Sequence, residues 1–207
     1  VLIVDESVGP HYLDLTRADG VRSGLMVPRP GLTMTNLGHA AAISGCSVYS
    51  NYLLRFGGTQ TNFVTAAFQW PSIWAFARQA GFHTVYLDAQ MGNGALQNMM
   101  TPSERAQIQD FISINMHPIF LRDLQLADQI ARYAHNGRQD FIYVNKVGAH
   151  FPIINKYPPW QAPYRPVPVA EQPDDLWHAF SNPNSDSWSP AIWARYRNGY
   201  RNALAWT

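Results

Sequence analysis

Apolar positions fall in short runs along this chain, and their spacing switches between strand-like and helix-like. Val1–Val4 is apolar, rich in β-branched residues and followed by Asp5 and Glu6. A continuous run of that kind predicts a central parallel strand, buried on both faces, that delivers acidic residues at its carboxyl end. HTVYLDAQ (83–90), ending on Asp88 and Gln90, and DFIYVNKV (140–147) read the same way.

Between these runs the apolar positions recur at helical spacing. Ser47 or Ser50 is placed to cap a helix running to about Phe56, with Tyr52, Leu53 and Phe56 on its apolar face. WPSIWAFARQAGF (70–82) predicts a helix with Pro71 in its first turn and Gly81 as its stop. TPSERAQIQDFI (101–112) reads as a capped helix start, and a longer helix is expected over Leu121 to His135, ending at Asn136-Gly137. SPAIWARYRNGYRNALAWT (189–207) begins a last helix, with Ser189 as cap and Pro190 in first position. Gly9 to Gly45 is mostly loop, with one short strand near Leu25–Val27, and residues 152–190, crowded with Pro, Trp, Tyr and Asn, read as an irregular surface excursion.

Strands alternating with helices predict an α/β domain with a mainly parallel sheet. Ligands of such sheets gather beyond the carboxyl ends of the strands, where Glu6, Asp88 and the Asn145–His150 turn fall. A chain of 207 residues is long enough for one sizeable domain with a hydrophobic core. Its net charge of +1 and the lack of any Lys/Arg-rich run argue against a nucleic-acid binder. The single cysteine, Cys46, excludes an intramolecular disulfide framework. No apolar run reaches the roughly 18–20 residues that cross a bilayer, and no stretch of residues 1–207 reads as a signal peptide. The chain begins inside a strand pattern and stops inside a helical one, which predicts a piece of a longer protein whose other parts include membrane anchors.

Three clusters could carry chemistry. In VDES (4–7) a carboxylate after a buried strand suits a divalent metal, although taken alone a cap on the following turn is the favoured explanation. In SGCSVYSN (44–51) a thiol or hydroxyl stands at a helix N-terminus, where the dipole and free N–H groups lower a nucleophile's pKa and attract phosphate or sulfate oxygens. Cys46, Ser47 and Ser50 all qualify, and spacing alone leaves each of them an ordinary cap or filler. In VNKVGAHFP (144–152) the turn puts His150 at the lip of the sheet, able to donate to an anionic oxygen or move a proton. The other histidines show no ligand spacing such as HExxH, and there is no Walker loop or GxGxxG. Aromatic residues around Tyr157–Tyr164 and Trp177 suit either a lipid or sugar contact or a self-packed loop.

The order of these clusters resembles one family, the bacterial phosphoethanolamine transferases of the alkaline phosphatase and sulfatase superfamily. VLIVDES resembles their opening strand and glutamate, and WPSIWAFARQAGFHTVYLDAQ their helix ending in AG that leads to a strand closing on Asp. FIYVNKVGAHFPIINKYP is similar to their strand followed by G-S-H-G-P and a Tyr-Pro, and RYRNGYRNALAWT to their Tyr-Asp-Asn-Thr helix. The resemblance implies a three-layer α/β/α sandwich in the periplasm, attached to the inner membrane, that uses Zn²⁺ or another divalent metal and a phosphorylated nucleophile in a ping-pong transfer. It implies that Glu6 is a metal ligand, that Ser47 stands for the family's nucleophilic and metal-binding threonine, and that His150 binds substrate. The implied donor is phosphatidylethanolamine and the implied acceptor a glycan or lipid hydroxyl, with no nucleic acid involved.

The chain departs from the pattern in several places. Serine replaces threonine at 47, and Asn145 stands where many members have histidine. The disulfide cysteines of the lipid A enzymes are missing, and the family's Asp-His metal pair would lie past Thr207. Glu6 and Ser47 alone fall short of the three protein ligands of a catalytic zinc, so residues 1–207, a partial sulfatase-like catalytic domain incomplete at the C-terminus, are expected to be inactive or to bind metal poorly. A sulfatase-type hydrolase using Cys46 is the second reading; Val48 and Tyr49 break the C-S-P-S-R pattern, and Ser50 stands where the arginine would be. A third is a non-catalytic domain that binds a glycan or partner through the aromatic loop.

Overall fold

β-branched and aromatic residues build four strands in the computed structural model, which describes residues 1–59, 61–90, 96–168 and 189–207. They are β1 (Leu2–Val4), β2 (His83–Asp88), β3 (Asp110–Ser113) and β4 (Asp140–Asn145). Their order in the sheet is β1-β4-β2-β3, and every pairing is parallel. The register places Leu2, Tyr143, Tyr86 and Phe111 side by side, so their side chains share one face. The predicted α/β class and parallel sheet are thus observed. β1 is an edge strand of this sheet, however, and not a central one: it is three residues long, pairs only with β4 among the described residues, and leaves Ile3 53% exposed.

The chain divides into two compact units. The first comprises Val1–Val4, Ala40–His117 and Leu121–Lys146; the second comprises Asp5–His39, Pro118–Phe120 and Val147–Thr207. In the first unit the sheet is flanked by α1 (Ser47–Phe56), α2 (Phe63–Gln69), α3 (Ile73–Gln79), the single turn α4 (Pro102–Arg105) and α5 (Arg122–Ala134). Trp74 of α3, wholly buried, packs on the aromatic face against Tyr86, Phe141 and Tyr143, with ring centroids 5.6–6.1 Å away. Val85, Leu87, Ile142 and Val144 alternate to the other face, are buried, and meet α5, whose Leu126 is buried too. The result within this unit is a helix–sheet–helix sandwich.

In the second unit α6 (Pro190–Trp206) supplies Ala203 and Leu204 to a core with Leu13, Val21, Ala149, Ile153, Tyr157 and Ala162. Asn202, fully buried, exchanges two 2.9 Å hydrogen bonds with the backbone of Tyr164: its Nδ2 donates to the carbonyl and its Oδ1 accepts from the N–H.

Several local expectations change. Ser72 and Ser189 cap α3 and α6 as N-cap acceptors, so Pro71 lies before the α3 cap and outside the first turn. α1 has Cys46 at its N-cap with no side-chain cap, Ser47 is its first helical residue, and its buried residues are Asn51, Tyr52 and Arg55. Thr101 caps only the short α4, and the rest of the stretch read as a helix start, from Asp110, is β3. Leu25–Val27 forms a turn instead of a strand. No helix among the described residues is long and apolar enough to cross a membrane.

Candidate active site

Ser47 opens α1 with its hydroxyl bonded to no described residue, while its backbone carbonyl is held from below. Asn51, one turn on and buried, donates through Nδ2 to that carbonyl at 3.1 Å and accepts from the Tyr143 hydroxyl at 2.8 Å. A further turn along, Arg55 donates at 2.6 Å to Glu104 Oε1 and at 2.6 Å to the Asn98 carbonyl, and the Trp74 indole N–H donates to the same Glu104 oxygen. Both charged side chains are about wholly enclosed, at 1% and 2% exposure. α1 is therefore bolted to the aromatic face of the sheet along its buried side, with its N-terminal N–H groups and the positive end of its dipole beside Ser47. The Cys46 thiol is exposed. Ser50 donates its hydroxyl back to the Cys46 carbonyl at 3.4 Å, the cap-and-filler role rather than a nucleophile's.

At the carboxyl end of β2 in the same unit, Asp88 is fully buried and accepts from Asn145 Nδ2 at 2.9 Å, from the Gln90 backbone N–H at 3.2 Å and from Gln97 Nε2. Arg122, buried at the start of α5, donates to the carbonyls of Ala89, Gln90 and Met116, fixing the segment that leaves β2. Burial pushes the Tyr86 hydroxyl pKa up, with the Asp88 and Tyr143 charges adding to it, so this strand end has no readily ionised phenol.

Glu6 and His150 lie in the second unit, where the structure brings their segments together. The Glu6 carbonyl accepts from the Ala149 N–H at 3.1 Å, and Glu6 as a whole is 6% exposed. Gly148 makes this approach feasible: its φ is +53°, and a Cβ there would lie 2.7 Å from the Glu6 carbonyl oxygen and overlap Asp5 Oδ1. His150 is half-buried and stacks on Phe151 at 4.8 Å. Its Nδ1 is 2.6 Å from the Phe151 carbonyl oxygen, which can only accept, so Nδ1 carries the proton. In the neutral ring that leaves Nε2 as an acceptor, suited to taking a proton; donation from Nε2 to an anionic oxygen requires the imidazolium. Tyr200 of α6 pins the preceding loop by donating to the Ser7 carbonyl at 2.6 Å and accepting from the Gly9 N–H at 2.7 Å.

Cys46 and Ser47 are thus neighbours in one unit and Glu6 and His150 neighbours in the other. Among the described residues no three His, Cys, Asp or Glu side chains converge on a metal-sized site. Their donor set does not by itself fit a catalytic zinc, which takes three protein ligands. Of the aromatic loop, Tyr157 is core and Trp160 is 76% exposed, while Trp177 lies outside the described residues. Sequence reasoning missed Asn51 and Tyr143. The four-residue spacing from Ser47 to Asn51 was a readable signal, but nothing local links Asn51 to a tyrosine 92 positions on.

A parallel α/β sandwich with a serine at a helix N-terminus defines the structural class, and solved structures narrow it. The chain is similar to the C-terminal periplasmic domain of EcEptC from Escherichia coli in complex with Zn, at 17% identity and a TM-score of 0.56, covering 78% of this chain and 42% of that one. A second structure of that domain matches at 18% identity and a TM-score of 0.53, over 75% of this chain and 39% of that one. The soluble domain of lipooligosaccharide phosphoethanolamine transferase A from Neisseria meningitidis matches at 10% identity and a TM-score of 0.54, over 80% of this chain and 45% of that one. The chain therefore has the fold of these domains, as the resemblance in sequence implied, and spans under half of their length. No protein-family model matches it, and no curated protein matches it in sequence.

Proposed function

We propose that this chain is the nucleophile-bearing part of a phosphoethanolamine transferase, a partial sulfatase-like catalytic domain that works in the periplasm of a protein anchored in the inner membrane. The observation that carries the reading is Ser47: a hydroxyl uncommitted to any described residue, on the first turn of a ten-residue helix, with its own carbonyl held by Asn51. The shared fold supports it. The Ser47 oxygen attacks the phosphorus of phosphatidylethanolamine. The Oγ–P bond forms, the bond from phosphorus to the diacylglycerol oxygen breaks, and the serine proton ends on that oxygen. A glycan or lipid hydroxyl then attacks the phosphoserine, taking the phosphoethanolamine and returning a proton to Ser47. N–H groups at the α1 terminus face the charge on the non-bridging oxygens, and His150 is the proposed contact for the phosphoryl or ethanolamine group.

Zinc is the proposed cofactor, with Glu6 and Ser47 as ligands and the remaining donors supplied from outside the described residues. These residues do not by themselves complete a zinc site, and their own roles are as nucleophile, anion contact and proton carrier. The test is mass spectrometry of the full-length protein incubated with phosphatidylethanolamine. A phosphoethanolamine adduct is expected on Ser47. Ser47→Ala should reduce transfer by about three orders of magnitude or more, whereas Cys46→Ala should keep most of it. An adduct on Cys46, or transfer surviving Ser47→Ala, would overturn the assignment.

A further inference from the structure

A cleft of about 370 Å³ in the second unit lies between the first turns of the loop after Glu6 and the middle of α6, and the transfer reading leaves it without a role. Its size falls within the range of small-molecule sites, about 300–1,000 Å³. Three guanidiniums line it, from Arg17, Arg197 and Arg201, against one carboxylate, Asp19, so it carries two net positive charges before His11 is counted. Arg197 and Arg201 are one turn apart on α6, a spacing at which like charges repel and disfavour the helix.

The cleft is built rather than incidental. Arg17 forms a two-pronged pair with Asp19, at 2.9 and 2.7 Å, with both side chains open to solvent. Arg201 is held 4.2 Å above the Tyr164 ring, and Tyr164 is itself clamped by Asn202. The loop wall is zipped by the Val21 N–H to the Tyr12 carbonyl at 2.7 Å and the Asp14 N–H to the Val21 carbonyl at 3.0 Å. Gly20 lets that wall close, because a Cβ there would overlap the Leu13 carbonyl. Guanidinium forks match the oxygens of phosphate better than a point charge does, and holding Arg201 on the Tyr164 ring beforehand reduces its ordering cost on binding.

We infer that this cleft binds a phosphate group, carried on a small polar molecule for which the remaining volume leaves room. The inference does not rest on the assignment of Ser47, and its readout is binding, so the two can fail separately.

The experiment is isothermal titration of the protein with a phosphate monoester (glucose 6-phosphate) and with inorganic phosphate, alongside sedimentation with vesicles of phosphatidylglycerol. Saturable binding of the monoester is expected, weakened about tenfold or more in Arg197→Gln/Arg201→Gln and partly retained in Arg201→Lys. Circular dichroism should show the fold of each variant intact, as both replaced side chains reach solvent. Tighter binding of the monoester than of inorganic phosphate is expected, and equal or weaker binding of the monoester would overturn the proposed carrier molecule. Absence of saturable binding, equal affinity in the double variant, or binding to vesicles alone would overturn the inference.

Discussion

Asn51 uses both ends of its amide to join the backbone of Ser47 to the Tyr143 hydroxyl, and it is 2% exposed. An asparagine inside a helix ordinarily competes with the backbone and costs stability. Here that competition fixes the carbonyl of the residue proposed to do the chemistry. Asn51→Ala removes two hydrogen bonds, one buried and one part-buried, and is expected to cost about 2–3 kcal/mol, against about 1 kcal/mol for Tyr143→Phe, which removes one of them. Urea unfolding of the two variants checks this, and equal costs would show that the Ser47 carbonyl gains nothing from Asn51. Adduct formation on Ser47 should slow more in Asn51→Ala than in Tyr143→Phe. Neither effect was legible from either residue alone: the asparagine reads as a poor helix former and the tyrosine as one more apolar strand position.

The edge element β3 depends on a polar cluster that ties it to its neighbours. Asp110 Oδ2 accepts from His83 Nε2 of β2 at 2.8 Å and from the Tyr133 hydroxyl of α5 at 2.9 Å, with Arg138 at 3.5 Å. Burial pushes the Asp110 carboxyl up, but the hydrogen bonds from His83 and Tyr133 and the nearby positive charges outweigh it and hold the pKa below 3.8. The Tyr133 phenol, desolvated and bonded to that carboxylate, is pushed up to about 12. The unfolded chain then binds the Asp110 proton more readily than the folded one. The stabilisation is therefore fully present above pH 3.8 and is lost as pH falls through the lower folded value. Asp110→Asn should lower the urea midpoint at pH 6, and the gap to the unaltered protein should narrow below pH 4; a gap independent of pH would contradict the cluster's role. Elements with strong period and explicit stops, namely α3, β2, α5, β4 and α6, were readable from the sequence. β3 was not, because Asp110–Ser113 is four half-buried residues lying within the stretch that follows a genuine helix cap at Thr101. β1 was legible as a strand and misplaced in the sheet, since an apolar run does not reveal how many neighbours it has.

At the scale of the molecule, each unit has its own core, and the proposed site residues are divided between the two. The order of VDES, GCS and VGAHFP along the chain was enough to indicate the fold, whereas the donors that would complete a metal site are not legible in these residues at all. In the second unit Gly148 decides whether the segments of Glu6 and His150 can meet. Gly148→Ala is expected to cost about 2 kcal/mol or more, lowering the melting temperature by roughly 4–8 °C. Calorimetry tests this, and an unchanged transition would mean that the turn relaxes freely. The parallel pairing of β1 adds a matter of timing. Leu2 pairs with Tyr143 and Val4 with Asn145, and the Glu6 carbonyl meets Ala149 just beyond. The earliest of the four strands to be synthesised therefore has no place in the sheet until the last one exists. Until β4 has been synthesised the segment bearing Glu6 has no neighbouring strand to follow into place, and its contact with Ala149 forms only when the His150 turn emerges.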